Sequence, residues 1–490
     1  IYMLKNTSAL VTPLNHNGSE SQTRPVSVAQ AEDGRLPQRL TLYIPSNVDI
    51  DKILKLNPPS FKFHKDYFIY LLHLITDIPS RNKDIEMSYV PFYSALIQRR
   101  VRDYRKYLDY LVDNNILVEN HQYIVGKQSR SFRFSRTFQT PVKPVFITKT
   151  TLIKSILNFI NIDYNTHDSC FVDSHTLELD YLFKWYNNRL KVDYKAARSY
   201  LEALLENDLK SFDRHVNAIQ RFNSRLIVLE KLHRSELICT IDSTAGRLHT
   251  VLTQLKGDLR QFVSFDGQPL VAVDITNSQP YLSTVLLNDE KYKENNILST
   301  IKLYNSSFQT TDHFNSLPYY VSKNVKSAKN SENVKQYIEI VKSGQLYEEF
   351  GKTLLDRGII TDDVSIRKQA KEIVFSSIFS PNQAIAYNQA IKIFKDCFPD
   401  VYEIFRAIKQ NEHRTLACLL QNFEAKLVLH TACKLISEKK PEIPLFTLHD
   451  SIITTVGNES VVSEVLHDVL LNAVGIPPKL KLELWERVAA

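Results

Sequence analysis

The chain has 490 residues, of which 43% are hydrophobic and 23% are charged, and its formal net charge is +7. This length is too great for one hydrophobic core, so we expect about two to four domains. No apolar run approaches the roughly 20 residues of a membrane span and no signal-peptide pattern opens the sequence, so no membrane partner is expected. The five cysteines are scattered without a CxxC pair. They support neither a disulfide framework nor a zinc site, and they favour a reducing, cytoplasmic setting.

The N-terminal part of the sequence divides into a polar tail and a region of helices and strands. Residues 1–38 are rich in polar residues without periodicity, which predicts a flexible tail. In residues 39–145, apolar residues recur at helical spacing over 63–78 and 93–115, and β-prone runs follow at 116–118, 123–126 and 131–134. Helices followed by a β-hairpin are typical of a winged-helix domain.

The same region is basic. Between Arg99 and Arg136 the sequence contains nine basic and four acidic residues. Lysine and arginine at this density can bind nucleic-acid phosphates, so Arg99, Arg100 and Arg102 are candidate nucleic-acid-binding residues. The alternative is a small α+β subdomain with a solvated basic face, since charge runs often do no more than face water.

Residues 146–237 are predicted to be mostly helical, with helices over 151–161, 175–188, 194–207 and 212–232. The main domain boundary is expected near residue 236, where strand-like and turn-like segments begin. A polar stretch at 305–334, rich in Asn, Ser and Lys, is interpreted as an insertion.

An apolar, β-prone run from Gln268 ends at Asp274, and a polar turn leads from it into a helix over 281–287. A second run leads into His449 and Asp450, with an apolar strand following, which predicts a hairpin with an acid at its turn. Carboxylates at the ends of buried strands are well placed to bind metal ions. The alternatives are a helix-capping aspartate at 274 and a core histidine at 449.

Between these acids, one predicted helix carries Arg367, Lys371, Phe375 and Phe379 at intervals of four residues. Residues four apart lie on one face of a helix. The cations suit a triphosphate, and the aromatic rings suit a base or sugar. The alternative is an amphipathic helix with buried phenylalanines and solvated basic residues.

In this order, the acid strand, the cationic and aromatic helix and the His-Asp hairpin resemble motifs A, B and C of the family A DNA polymerases and the single-subunit phage and mitochondrial RNA polymerases. A fourth segment, Ser243 to Thr250 with Arg247, is similar to the Thr-x-Gly-Arg-Leu segment that contacts the primer–template minor groove in this family. The resemblance covers residues 238–490, about half of the chain.

The resemblance implies an α+β right-hand polymerase fold, with an antiparallel palm sheet and helical fingers in 238–490 and a thumb-like helical region in 146–237. It implies that Asp274 and Asp450 bind two Mg²⁺ ions, and that Lys371 also assists the leaving pyrophosphate. Nucleotide-binding residues would be Arg367, Lys371, Phe375, Phe379 and Gln279. Contacts to primer or template would come from Arg247, Arg260, His449 and Gln421.

Several positions depart from the family pattern. Phe379 stands where the family has Tyr, and Ala417 replaces the Asn expected four residues before Gln421. Gln279 stands where DNA polymerases have a sugar-excluding Glu and RNA polymerases have Gly. The phenylalanines at 375 and 379 favour a DNA product, whereas the His-Asp-Ser spelling of the hairpin is that of the RNA polymerases.

The resemblance therefore implies a DNA-dependent DNA polymerase active in DNA replication, which uses nucleoside triphosphates on a DNA primer–template. No acidic cluster upstream of the motifs resembles the Asp-x-Glu site of a proofreading exonuclease, so no such activity is expected. Other possibilities remain open: a single-subunit RNA polymerase or primase-like enzyme, a non-catalytic DNA-binding replication protein, or a metal-dependent nuclease.

Overall fold

The computed structural model describes residues 38–486, apart from 82–88, 121–128, 166–178, 211–216, 243–244, 295–327, 329–330, 363 and 411. Within these ranges the chain folds as a mixture of helices and antiparallel strands. No helix in the described ranges is both long enough and apolar enough to cross a membrane. The predicted tail (except Gln38), the predicted strand at 123–126 and most of the predicted insertion lie outside the described residues.

The strands, numbered in chain order, are β1 (Leu40–Pro45), β2 (Val90–Pro91), β3 (Leu117–Asn120), β4 (Ser131–Phe134), β5 (Val142–Ile147), β6 (Leu190–Val192), β7 (Thr240–Ile241), β8 (Leu248–His249), β9 (Val263–Phe265), β10 (Gln268–Ile275), β11 (Phe446–Leu448), β12 (Ser451–Thr455) and β13 (Leu480–Trp485). The α-helices are Ile50–Leu56, Lys65–Arg81, Ser94–Arg100, Tyr104–Asp113, Thr150–Asn165, Asp180–Phe183, Tyr194–Lys210, Ala218–His233, Val251–Gln254, Ser278–Ser283, Asp289–Glu294, Glu332–Ser343, Leu346–Asp356, Ile366–Phe379, Gln389–Cys397, Pro399–Ile408, Arg414–Ala425, Lys434–Lys439 and Glu459–Val474. A π-helical segment, Lys426–Cys433, joins two of them.

Residues 38–165, here called the N-terminal unit, contain two small antiparallel sheets, β1–β5 and β2–β4–β3. Aromatic packing joins its helices, since the ring of Phe68 lies 4.6 Å from that of Tyr107 and 5.0 Å from that of Tyr110. The unit therefore has its own hydrophobic cluster, and β4 forms the middle of its three-stranded sheet. The winged-helix assignment stays a prediction.

Two helix predictions need correction. The helix expected over 93–115 is two helices, because Val101 has an extended backbone (φ −129°) and is fully buried, which turns the chain between Arg100 and Tyr104. The helix expected over 175–188 is short where it is described, Asp180–Phe183, and turns follow it. There Trp185 and Tyr186 bury their rings in the core, against Phe265 and Phe446.

The central sheet has the order β11–β12–β10–β9–β6, and β13 also pairs with β10. All of its pairings are antiparallel. Strand β10 lies between β12 and β13, which explains why residues 270–273 form an unbroken buried run rather than an alternating one. The C-terminal end of β10 is therefore held on both sides.

The larger hydrophobic cluster runs from Leu179 to Trp485 and also includes Tyr43. The domain boundary predicted near residue 236 thus separates segments that share one core. The helix Ala218–His233 also contacts the N-terminal unit: Lys231 Nζ donates to Asp77 Oδ1 at 2.6 Å, and Asn223 Nδ2 donates to the carbonyl of Thr140 at 2.8 Å. Polar contacts and packing thereby join the N-terminal unit to the rest of the protein.

Candidate active site

Asp274 and Asp450 come together at one end of the central sheet. Asp274 lies opposite Ser451 in the β10–β12 register, and the amide of Ile275 donates to the carbonyl of Asp450 at 3.3 Å. Two acids separated by 176 positions in the chain are therefore neighbours, Asp274 near the end of β10 and Asp450 in the turn that precedes β12. We call them the acid pair.

The acid pair is electrostatically strained. Burial, and then the negative charge of Asp450, raise the pKa of Asp274 to about 7. Burial also raises the pKa of Asp450, while the positive charges of Arg247 and Lys371 lower it. Since two carboxylates close together in a half-buried site repel each other, a cation bound between them would relieve this repulsion.

The turns that present these acids use left-handed backbone conformations. Strands β11 and β12 are joined by His449 and Asp450 alone, with His449 at φ 57°. Asn277, which precedes the helix Ser278–Ser283, has φ 54°. Both amide atoms of Asn277 and Nδ1 of His449 are buried without a hydrogen-bond partner among the described residues. These groups remain available to a ligand.

A third carboxylate, Glu424, was not predicted from the sequence. It is only 1% exposed and accepts hydrogen bonds from Arg247 (Nη2–Oε1, 2.6 Å) and Ser278 (Oγ–Oε2, 2.9 Å). Burial raises the pKa of Glu424, Arg247 lowers it and the charge of Asp450 raises it further. The only signal in the sequence was that Glu424 is the single charged residue in the stretch Leu416–Ala425, and its basic partner lies 177 residues away.

Arg247 is held by a tight turn. The carboxylate of Asp242 accepts hydrogen bonds from the amides of Ala245 (2.6 Å) and Arg247 (3.1 Å), and Gly246 between them has φ 66°. A Cβ at Gly246 would also lie 3.3 Å from the Asn422 side chain. Glycine therefore permits both the turn and the approach of the helix that carries Glu424.

The helix Ile366–Phe379, called the cationic helix, buries Ala370, Val374 and Ile378 and leaves its predicted face at the surface. Arg367 forms an ion pair with Glu348 and lies over the ring of Tyr347, 5.2 Å from its centroid. The amine of Lys371 lies 5.5 Å from the ring centroid of Phe375. The charge of Lys371 lowers the pKa of both acids in the pair, so its amine lies near them.

The aromatic part of this face is half-buried rather than enclosed. The rings of Phe375 and Phe379 lie 5.6 Å apart, and Phe379 packs partly against the core. Beyond the helix, the buried amine of Lys409 donates to the carbonyls of Ser377 and Ser380, each at 3.0 Å. Lys409 thus holds the C-terminal end of the cationic helix, and burial lowers its pKa to about 8.

Three other predicted site residues lie on different elements of the fold. Gln279 is buried, with Nε2 donating to Glu424 Oε2 at 2.5 Å and Oε1 lacking a partner among the described residues. Arg260 pairs with Glu483 at 3.0 Å, a residue whose charge also raises the pKa of Asp274. Gln421 lies half-buried one turn before Glu424.

His449 and the three arginines of the N-terminal unit are the remaining predicted residues. His449 has its pKa lowered to about 4 by burial and by the charges of Arg247 and His249, so its ring is neutral near pH 7. Arg99, Arg100 and Arg102 lie in the N-terminal unit, whose hydrophobic cluster is distinct from the one that contains β10 and β12. Arg100 is turned inward, with its guanidinium on the Tyr70 hydroxyl.

The acid pair suits an oxygen-loving divalent cation that also binds substrate. The described residues contain no group of three or more His, Cys, Asp or Glu side chains arranged to hold a metal ion. A site enclosed entirely by protein ligands is therefore not found in this part of the chain. Mg²⁺ binds through one or two carboxylates and completes its coordination with water and substrate phosphates, which fits these residues.

Comparisons with known proteins identify no family. No protein-family model matches the chain, and a search of curated proteins finds no match. Among solved structures it is similar to the POL domain of Pol1 from M. smegmatis in complex with DNA primer-template and dNTP, at 11% sequence identity and a TM-score of 0.32. That match covers 63% of this chain and 69% of the other. At this level the likeness is weak, and we draw nothing from it.

Proposed function

We propose that this protein is a template-directed nucleotidyltransferase, and specifically a DNA-dependent DNA polymerase of family A type without a proofreading exonuclease. One observation carries the proposal: Asp450, in the turn before β12, lies beside Asp274 near the end of β10, and the charge of Lys371 on the cationic helix acts on both. A pair of carboxylates facing a cationic and aromatic surface is the arrangement that phosphoryl transfer from a nucleoside triphosphate requires.

Asp274 and Asp450 would hold two Mg²⁺ ions. When bound, these ions would lower the pKa of a primer 3′-hydroxyl and neutralise the charge of the phosphates. The raised pKa of Asp274 supports this assignment, because burial and the charge of Asp450 disfavour its ionised form and a bound cation would stabilise that form.

Lys371 and Arg367 would bind the phosphates of the incoming nucleotide. Lys371 is exposed and near the acid pair, so it would meet a phosphate held there and could pass a proton to the leaving pyrophosphate. The Arg367 side chain is 48% exposed in its pair with Glu348. Exposed ion pairs contribute about 0–1 kcal/mol, so a triphosphate would displace Glu348 at little cost.

Phe375 and Phe379 would contact the sugar and base, since they continue the same helix face beyond Lys371. Arg247, His449 and Gln421 would contact primer or template near the acid pair, and Arg260 would do so from the edge of the sheet. Arg247 would keep Glu424 as its protein partner, because that carboxylate is buried and also bonds Gln279.

A single-subunit RNA polymerase or primase-like enzyme is the second candidate, and one observation favours it. Oε1 of Gln279 is a buried acceptor without a partner among the described residues. A ribose 2′-hydroxyl could donate to such an atom, whereas a deoxyribose offers no donor there. Against this, Phe379 lacks a hydroxyl that could contact the ribose, and the Gln279 side chain reduces the space for a 2′-substituent.

Primer extension tests the proposal. The purified protein is incubated with a primed DNA template, Mg²⁺ and either the four dNTPs or the four NTPs, with a reaction lacking primer to detect initiation. We expect extension with dNTPs, and no excision of a mismatched 3′ end. Preferential use of NTPs would establish the second candidate instead.

Single-residue variants test the roles of proposed site residues. Asp274→Ala and Asp450→Ala should each reduce extension by at least about 100-fold while binding of primer–template is retained. Lys371→Ala should reduce extension strongly, and Lys368→Ala, an exposed lysine on the same helix, should not. If the alanine variants at 274 and 450 extend primers as the wild type does, the proposal fails. DNA cleavage that survives Lys371→Ala would indicate a nuclease.

A further inference from the structure

The N-terminal unit contains a helix–turn–helix. The helices Ser94–Arg100 and Tyr104–Asp113 are joined by a turn of three residues, which is the length this motif uses. Ring contacts of Tyr107 and Tyr110 with Phe68 fix the second helix against the helix Lys65–Arg81. Strands β3 and β4 follow the motif in the chain, and β3 contacts the second helix. The second helix is thus anchored along one side and exposed along the other.

The exposed side of the second helix is basic at its N-terminal half. Tyr107, Leu108 and Leu111 are buried, whereas Arg102, Arg105 and Lys106 are exposed. Arg99, Arg133 and Arg136 are exposed on neighbouring elements. Arg102 and Lys106 have no acidic partner within ion-pair distance among the described residues.

The acids in this region do not cancel that charge. Asp109 is occupied by Arg130, whose Nη2 lies 3.1 Å from its carboxylate, and Arg130 also pairs with Glu119 at 2.6 Å. Asp103 lies between Arg102 and Arg105 and offsets only part of their charge, and Asp113 ends the helix away from its basic half. Arg99, Arg102, Arg105 and Lys106 therefore form a positive surface, which we call the basic face.

We propose that the basic face binds duplex DNA, with the N-terminal half of the helix Tyr104–Asp113 in the major groove. An α-helix with its side chains is about 10–12 Å across, and the B-DNA major groove is about 12 Å wide. In helix–turn–helix proteins the N-terminal residues of the second helix reach the bases. The cations of the basic face have the charge needed for the phosphates on either side of the groove.

This duplex site is separate from the proposed polymerase site and does not depend on it. The N-terminal unit is nevertheless attached to the core through Asp77–Lys231 and Thr140–Asn223, and the amide of Val142 also donates to Asn223 Oδ1 at 3.0 Å. A duplex bound by the basic face would therefore be held at a defined position relative to the acid pair. That arrangement suits recognition of a site from which nucleotide synthesis begins.

The test uses the full chain and a DNA duplex of about 30 base pairs closed by a hairpin at each end, so that no 3′ end can enter a polymerase site. Binding is measured by fluorescence anisotropy over a range of salt concentrations. Arg102→Glu/Lys106→Glu is compared with Lys439→Glu/Lys440→Glu, which changes the net charge equally on an exposed segment of the larger core.

We expect the first variant to bind at least about tenfold more weakly near 0.1 M salt, and the slope of log affinity against log salt to fall by about 1.8, since each lost phosphate contact contributes about 0.9. The Lys439/Lys440 variant should bind within about twofold of the wild type. Equal affinities of the two variants would overturn the proposal.

Two further measurements test whether weaker binding comes from misfolding and whether the basic face prefers DNA duplex to RNA duplex. Should Arg102→Glu/Lys106→Glu fail to fold, Arg102→Gln/Lys106→Gln decides the question by the same comparison. RNA duplexes have a deep, narrow major groove that excludes a helix, so equal or tighter binding of RNA duplex would also overturn the proposal. Asp274→Ala should bind the closed duplex as the wild type does, which makes this result independent of the polymerase assignment.

Discussion

The metal-free protein should lose stability as the pH rises from about 4 to about 7, because Asp274 is harder to ionise in the folded state than in the unfolded state. Burial and the charge of Asp450 raise the pKa of Asp274 from 3.8 to about 7. When the folded-state pKa of a carboxyl is raised, the folded protein binds more protons than the unfolded chain between the two values. The contribution of Asp274 to the free energy of unfolding is therefore complete below about pH 4 and is lost as the pH rises through about 7.

The magnitude follows from the difference between the two pKa values. Each pH unit of difference corresponds to 1.36 kcal/mol, so the full effect reaches about 4 kcal/mol, of which about 3 kcal/mol falls between pH 5 and pH 8. Asp274→Asn cannot titrate. In a chelator, the free energy of unfolding of the wild type relative to this variant should thus fall by about 3 kcal/mol over that range.

Urea denaturation followed by fluorescence at several pH values measures this difference, with Asp356→Asn, an exposed aspartate, as the matched control. Added Mg²⁺ or Mn²⁺ at about 100 times its dissociation constant should then stabilise the wild type by about 2.7 kcal/mol near pH 8, and Asp274→Asn far less. Parallel pH profiles for wild type and Asp274→Asn would refute the reasoning, because they would mean that Asp274 is not destabilised in its charged form.

Two other buried ionisable groups give predictions of their own. Burial lowers the pKa of Lys409 to about 8. The free energy of unfolding of the wild type relative to Lys409→Met should therefore rise by up to about 3 kcal/mol from pH 8 to pH 10.5. Urea denaturation measures this difference, and a value that does not change with pH would contradict the prediction. Glu424→Gln should destabilise the protein by about 3–5 kcal/mol because Arg247 loses its buried partner, whereas Glu483→Gln, at an exposed ion pair, should cost less than about 1 kcal/mol in the same measurement.

The acid pair could be anticipated from the sequence because each member ends or begins a short apolar run. Local patterns of this kind mark strand ends, and the antiparallel register then brings Asp274 opposite Ser451. The spacing of Arg367 and Lys371 likewise predicted one helix face, since helical periodicity is also local. The cationic helix, Ile366–Phe379, includes all four of the predicted positions.

Long-range partners could not be anticipated in the same way. Glu424 is an ordinary helical residue until the fold places it against Arg247, and no local pattern in the sequence records that contact. The strand that carries Lys481 and Glu483 follows the last motif by about 30 residues, yet it pairs directly with β10 beside Asp274. Arg100 was predicted to face nucleic acid, but packing turns it towards Tyr70.

The backbone at His449 has a consequence for how this protein can change. A left-handed conformation costs an L-residue about 1 kcal/mol relative to glycine, so a glycine at this position would make the hairpin easier to form. The same exchange would remove the imidazole next to Asp450. Selection for heat tolerance and selection for turnover would therefore pull this position in opposite directions.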